Sequence, residues 1–456
     1  MHSKPPGSLL NQSRKLPGLD PFALIGLYVV LVLLPLALAA LQGLPSRSIS
    51  SELSSDLIMV GFAMILVQFL LSGRIRSLSG KIGIDVTMRF HQLAAWTVLA
   101  LIVVHPLLFA VPRLTPNPAD ALTTLSVMFS SQRLRTGVVA WCLVILLVPL
   151  AVFREWLRIS YEAWRLSHAL GAAAIAAFGL HHTLRVGTHS TDVWLTAYWT
   201  ALTALAFLSL ARVRLIEPIL QLRAPYRVVS NRKVAHRMWE VALEPQNGRP
   251  FAFAAGQFVW LKFGRSPFNV IEHPFSISSA PIEPLCVRFI IKETGDFTNQ
   301  ISTIAVGTRA YLDGPHGRFT LAGHDARKIV FIAGGVGFAP IISMLRQLAA
   351  ERHPHSIRLI YGNRKETQIL YAEEIETLKN ALDLDVHLVL SEPPAGWPGL
   401  VGELSLEVVR VCLVTADPDA LYFVCGPTAM MNSVERSLTE LGIQSRQVVS
   451  ERFKYE

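Results

Sequence analysis

The sequence predicts a three-part fold: a six-helix membrane bundle, an antiparallel β-barrel and a parallel α/β domain. Three observations carry this reading. Residues 1–221 contain six long apolar runs. Hydropathy then falls at about Val213, and short alternating, Gly/Pro-punctuated stretches begin, as half-buried strands require. From residue 324 strand-like and helix-like segments alternate, the pattern of a parallel sheet with crossover helices.

Taken in order, residues 1–20 read as a short basic tail, which the cytoplasm would hold. The apolar runs cover residues 21–41, 57–71, 90–111, 136–153, 164–184 and 193–213. Each approaches the ~20 residues needed to cross the hydrocarbon core, the second by recruiting the serines and glycines beside it. Residues 21–213 therefore form the expected membrane domain. A barrel is expected over residues 222–322, with strands near 258–263 and 287–291, and an α/β domain over 324–456.

The chain has 456 residues and a net charge of +9, of which residues 1–221 supply +8 from 17 Lys and Arg against 9 Asp and Glu. These cations flank apolar runs instead of clustering on a soluble face, which excludes a nucleic-acid binder. Twelve Lys and Arg fall in segments on the N-terminal side of the membrane and five on the other. The positive-inside rule then sets the N-terminus in the cytoplasm, and six spans return the C-terminal half there. The expected location is the cell's inner, cytoplasmic membrane. The four cysteines, Cys142, Cys286, Cys412 and Cys425, form no C-x-x-C pair, so neither a zinc or iron–sulfur site nor covalent haem attachment is indicated.

Histidines stand inside two of the apolar runs: His91 and His105 in one, His168 with His181 and His182 in the other. Ionisable groups within a membrane span are costly and mark functional paths. Fourteen residues separate His91 from His105, about 21 Å of rise and roughly 40° short of four turns, so both share a face. His168 and His181 are thirteen apart and about 140° out of line; His182 restores the spacing of fourteen. Two facing imidazoles at each of two depths suit the axial positions of two b-type haems.

The C-terminal half carries local motifs. His273-Pro274-Phe275-Ser276-Ile277-Ser278-Ser279 ends a strand with a backbone edge and a hydroxyl. Gly256-Gln257-Phe258 precedes it, and Lys292-Glu293-Thr294-Gly295-Asp296-Phe297-Thr298 and Gly314-Pro315-His316-Gly317-Arg318-Phe319 follow. In Gly334-Gly335-Val336-Gly337-Phe338-Ala339-Pro340, glycines sit between a strand and a helix, where a dinucleotide pyrophosphate can approach the helix N-terminus. Cys425-Gly426-Pro427 ends the last strand, and Glu451-Arg452-Phe453 lies near the C-terminus.

These motifs resemble those of the ferredoxin-reductase-like flavoproteins, in the HPF form of the ferric reductase and NADPH oxidase superfamily. With the paired histidines, the resemblance covers nearly the whole chain. It implies an FAD site at His273, Pro274, Phe275, Ser276, Ile277, Ser278, Gly295 and Thr298. It implies an NADPH (or NADH) site at Gly334, Gly335, Gly337, Pro340, Cys425, Gly426 and Pro427, with Pro340 at the position of the third fingerprint glycine. Cys425 would lie near the nicotinamide and Phe453 over the flavin ring, the two positions next to hydride transfer. Arg364 is placed to meet a 2′-phosphate, which favours NADPH. The family's ligand spacing pairs His91 with His168 and His105 with His181, whereas ideal helix geometry prefers His182.

The implied activity moves electrons from cytoplasmic NAD(P)H through FAD and two b-type haems to a small-molecule acceptor beyond the membrane, a ferric chelate or O2 giving superoxide. The alternatives are a flavoreductase tethered to a histidine-containing transporter, and a reductase of quinone or of a periplasmic protein. The lipid bilayer is the one macroscopic partner expected.

Overall fold

The computed structural model describes residues 18–452 except 46, 73, 115–116, 284, 325–326, 355, 414–416 and 418. They divide into two compact units, Gly18–Glu217 and Pro218–Glu456.

The first unit is helical: α1 (Pro21–Ala40), α2 (Ile49–Ser72), a single turn α3 (Arg76–Ser79), α4 (Ile84–Leu114), α5 (Pro118–Ser130), α6 (Arg135–Val152), α7 (Tyr161–Val186) and α8 (Val193–Ala211). A π-helical turn, Arg212–Ile216, leads into α9 (Glu217–Gln221). Side chains just before the helices set their starts by accepting first-turn N–H groups. Asp20 accepts from Phe22 at 3.0 Å, Asn117 from Ala119 at 3.1 Å and Asp192 from Leu195 at 2.7 Å. Among the described residues, five helices are long and apolar enough to cross a membrane: α1, α2, α4, α6 and the run through α8 and α9. The sixth expected span, α7, forms over 26 residues but is less apolar, because it carries Glu162, Arg165, Arg185 and three histidines. α5 was not expected; it is a 13-residue helix with no long apolar run behind it.

Of the apolar window of α2, 61% is buried, against 17% for α1 and 6% for α6. α2 is therefore the core of the bundle, packed along α4, α1 and α8. Outward-facing residues such as Phe22, Leu146 and Trp194 are exposed and apolar, as helices solvated by lipid are. Polar side chains tie neighbours together: Trp141 Nε1 donates to Ile102 O at 3.0 Å, and Ser209 Oγ to Phe69 O at 2.7 Å.

The second unit contains two sheets. The first is antiparallel, from β1 (Tyr226–Ala235), β2 (Met238–Pro245), β3 (Phe258–Phe263), β4 (His273–Ser276), β5 (Val287–Lys292) and β6 (Arg309–His316), in the order β4-β3-β6-β1-β2-β5. A bridge between Ile277 and Phe289 draws its two ends together. Its core holds Val228, Val241, Leu261, Phe289 and Ile291.

The second sheet is parallel throughout, from β7 (Lys328–Gly334), β8 (Ile357–Asn363), β9 (Leu384–Leu390), β10 (Leu400–Val401), β11 (Ala420–Cys425) and β12 (Val448–Ser450). Helices α10 (Phe338–Ala350), α11 (Ala372–Ala381), α12 (Leu406–Leu413) and α13 (Thr428–Glu440) connect the strands. The order β10-β9-β8-β7-β11-β12 reverses between β7 and β11. Ligands bind at such a switch point, outside the C-terminal strand ends. Gly334 and Cys425 are those ends.

Candidate functional site

In the helical unit, α4 and α7 bring His91 and His168 together with ring centroids 6.1 Å apart. Imidazole nitrogens bind metal ions at about 2 Å, so two rings this close could both reach one ion. The pair therefore fits one metal ion between two rings. Both histidines line a cavity of about 240 Å³, together with Gln68, Trp164 and the cations Arg74, Arg165 and Arg214.

His105 and His182 line a second cavity, of about 470 Å³, walled by Phe109, Phe129, Trp141 and Trp199. His181 is not among its lining residues; it is exposed, and its Nδ1 lies 3.2 Å from Thr136 Oγ1. The thirteen-residue pairing implied by resemblance needs a bend or bulge in the helix, and α7 is α-helical from Tyr161 to Val186. The regular period carries fourteen residues back to the face of His168, so His182 turns inward. Gly137 on α6 makes room for it: a Cβ there would lie 2.5 Å from the His182 ring.

In the antiparallel sheet, β4 pairs with β3 alone, His273 opposite Leu261 and Ser276 opposite Phe258. The backbone of His273, Pro274, Phe275 and Ser276 thus keeps one edge unladdered, the kind of edge a flavin ring can meet. The His273 ring stacks on Phe297 at 4.5 Å, which aligns it with the turn that follows β5. In that turn the Thr298 hydroxyl is already engaged. Its Oγ1 accepts from Thr294 N and Gly295 N, both at 2.9 Å, and donates to Gly295 O at 3.3 Å. Thr298 pins the turn, while Gly295 is open where a Cβ would stand.

Ile277 and Ser278 leave the edge and enter the interior, both fully buried. Ser278 O accepts from Arg346 Nη1 at 2.7 Å, and Ser279 O from Ser343 Oγ at 2.6 Å, so this end of the motif clamps the first sheet to α10. Arg346 also pairs with Glu374 at 2.6 Å and lies 4.8 Å over the Tyr371 ring, whose hydroxyl bonds Glu240. Sequence reading missed this network. Its one signal was an arginine in the middle of an otherwise largely apolar helix.

At the switch point, Gly335 has φ +53° with nothing within 4 Å of a built Cβ, which leaves backbone open to a ligand. Gly337 serves packing: a Cβ would stand 2.4 Å from Cys425 O. Gly334 and Gly426 also touch, since a Cβ on Gly426 would lie 3.1 Å from Gly334 Cα. Pro340 is buried in the first turn of α10, and Pro427 immediately precedes α13. These glycines and the helix N-terminus fit a dinucleotide pyrophosphate.

Cys425 is 2% exposed. Burial pushes its thiol far above the usual range, and the charge of Glu451 adds to the rise. The thiol packs at the C-terminal end of β11. Phe453 lies outside the described residues. Arg364 is exposed and engaged with Glu392 at 2.5 Å, an ion pair that holds the Glu392 carboxyl below its usual range. Because this arginine is exposed and already engaged, Arg364→Ala should raise KM for NADPH only modestly and leave NADH unchanged. Glu392→Gln should shift the NADPH/NADH ratio of kcat/KM toward NADPH. Steady-state kinetics with both nucleotides checks the pair.

Three family profiles match the chain: a ferric reductase like transmembrane component over residues 57–179, an FAD-binding domain over 229–337 and an oxidoreductase NAD-binding domain over 331–436. In that order they make up the architecture of the ferric reductase/NADPH oxidase superfamily, and this chain has that architecture. NADH-cytochrome b5 reductase 1 of Candida albicans is 31% identical over 161 residues, 35% of this chain and 55% of that protein. Ferredoxin–NADP reductase B of Sorangium cellulosum is 29% identical over 237 residues, 50% of this chain and 96% of that protein. The chain spans about half the length of the cytochrome b5 reductases it matches. Among solved structures, the cytochrome b5 reductase domain of Ulva prolifera nitrate reductase is similar with a TM-score of 0.46 and 18% identity, covering 51% of this chain and 98% of that one.

Proposed function

We propose that the chain is an NAD(P)H oxidoreductase of the cytoplasmic membrane that delivers electrons across the bilayer to a ferric chelate or to O2. The observation that carries this reading is the pair of histidine-lined cavities between α4 and α7, in a chain that also has FAD- and NAD-binding domains. With α7 as a sixth span, the excess of Lys and Arg on the N-terminal side would put both sheets of the second unit in the cytoplasm.

His91 and His168 would hold one haem and His105 and His182 the other. The edge of β4 with Gly295 would hold FAD, and Gly334, Gly335, Gly426 and Pro427 would hold NAD(P)H, with Gly337 packing the turn against Cys425. When bound, the flavin takes a hydride and gives up electrons singly, and haem iron carries single electrons. The protein's part is placement. The clamp from Ser278 and Ser279 to Arg346 and Ser343 fixes the β4 edge against the helix that follows the glycine turn. The apolar walls around His105 and His182 exclude water and lower the local dielectric.

A reduced-minus-oxidised spectrum of the purified protein should show b-type bands with two haems per chain, and NADPH or NADH should produce them in vesicles. No bands after dithionite sinks the proposal. Bands that dithionite produces and nucleotide never does would mean a tethered reductase. Reduction of an external Fe(III) chelate, set against dye reduction sensitive to superoxide dismutase, then names the acceptor.

A further inference from the structure

Among the buried polar residues of α2 are Ser54 and Gln68, to which the electron path above gives no role. They are fourteen residues apart, the same spacing as His91 and His105 on α4. The two helices run antiparallel, and equal spacings put both pairs in one register: Gln68 meets His91, and Ser54 meets His105.

The hydrogen bonds fix a tautomer. Ser54 Oγ donates its one hydrogen to His105 O at 2.9 Å. Its lone pairs, 2.8 Å from His105 Nδ1, then serve as acceptor, and Ser54 O, 3.1 Å from the same nitrogen, can only accept. His105 Nδ1 therefore carries the proton, which leaves Nε2 as the free lone pair. The Gln68 amide oxygen, 3.1 Å from His91 Nδ1, does the same for His91. The α7 partners differ: Nδ1 of His168 and of His182 is buried without a hydrogen-bond partner among the described residues.

We propose that Ser54 and Gln68 are positioning residues that hold His105 and His91 as Nδ1–H tautomers and thereby set the potentials of the two haems independently. The proposal rests on the haem reading given above. A ligating imidazole that donates its other N–H is more basic and better oriented, and it favours the oxidised metal. At each depth the α4 imidazole is hydrogen-bonded from α2 and the α7 imidazole is not, so α2 would tune one of the two histidines that would hold each haem.

Redox titration of the haem absorbance in the full-length membrane protein tests this, with His105→Ala naming the wave that belongs to the His105 haem. Gln68→Leu should raise the midpoint of the His91 wave only. Gln68→Met repeats the test should leucine disturb folding, and Gln68→Glu, which keeps an acceptor, should not raise it. Ser54→Ala should raise the His105 wave by less, because the Ser54 carbonyl remains. Full haem content with no wave moved overturns the proposal, as does a rise in Gln68→Glu equal to that in Gln68→Leu. Wild-type protein that binds no haem overturns the haem reading and this proposal with it.

Discussion

If His105 and His182 hold one haem and His91 and His168 another, as proposed, Gly137→Ala should leave the purified protein with about half its haem. The new methyl would lie 2.5 Å from two atoms of the His182 ring and 2.9 Å from a third. Overpacking of this kind forces either an off-rotamer ring or a parting of α6 from α7, at about 1–3 kcal/mol or more. Either response moves Nε2 of His182 away from the cavity it shares with His105. The cavity lined by His91 and His168 contains neither Gly137 nor His182, so a haem held there should stay. Haem per chain, measured by pyridine haemochrome, reads the effect. His182→Ala should match Gly137→Ala, and His181→Ala should keep full haem. The reverse result, halved haem in His181→Ala and full haem in Gly137→Ala, would return the fourth ligand to His181.

The choice between those two histidines shows which parts of the site the sequence could express. Periodicity is a local property, and an undistorted α7 obeys it, so an ideal helix points to His182 without any knowledge of a partner. Spacing carried over by resemblance assumed a distortion that α7 lacks. The glycine turn was equally legible, since Gly335 needs its positive φ for local reasons. The division of labour inside it was not: Gly337 answers to Cys425, 88 residues away along the chain. The same holds for the Ser278–Arg346–Glu374 clamp, whose partners come from a strand end and two helices. α5 was hidden for a different reason. Its start is marked by Asn117 and Pro118, but at 13 residues it is too short to stand out in a hydropathy reading. Thr298 had the right chemistry for a phosphate donor, and only the fold of the turn shows its hydroxyl already engaged.

Lys262→Met should destabilise the antiparallel sheet by about 3–5 kcal/mol, the usual cost of breaking a buried ion pair by removing one partner. Lys262 and Glu272 lie 3.2 Å apart with side chains 7% and 3% exposed. Lys262 Nζ also donates to Pro267 O at 2.7 Å, so one ammonium holds both the far end and the middle of the loop between β3 and β4. That loop ends at His273, the first residue of the β4 edge proposed to meet the flavin. Loss of the lysine therefore threatens FAD retention as well as stability, and urea unfolding followed by flavin fluorescence in the full chain measures both. Lys262→Met combined with Glu272→Leu should recover most of the stability, because a well-packed apolar pair replaces a buried ionic one at little cost. Flavin binding in that double variant then separates two roles. If FAD returns with stability, the ion pair serves only to keep the sheet folded. If stability returns and FAD does not, the charges and the Pro267 hydrogen bond set the path of the loop, and through it the position of the edge.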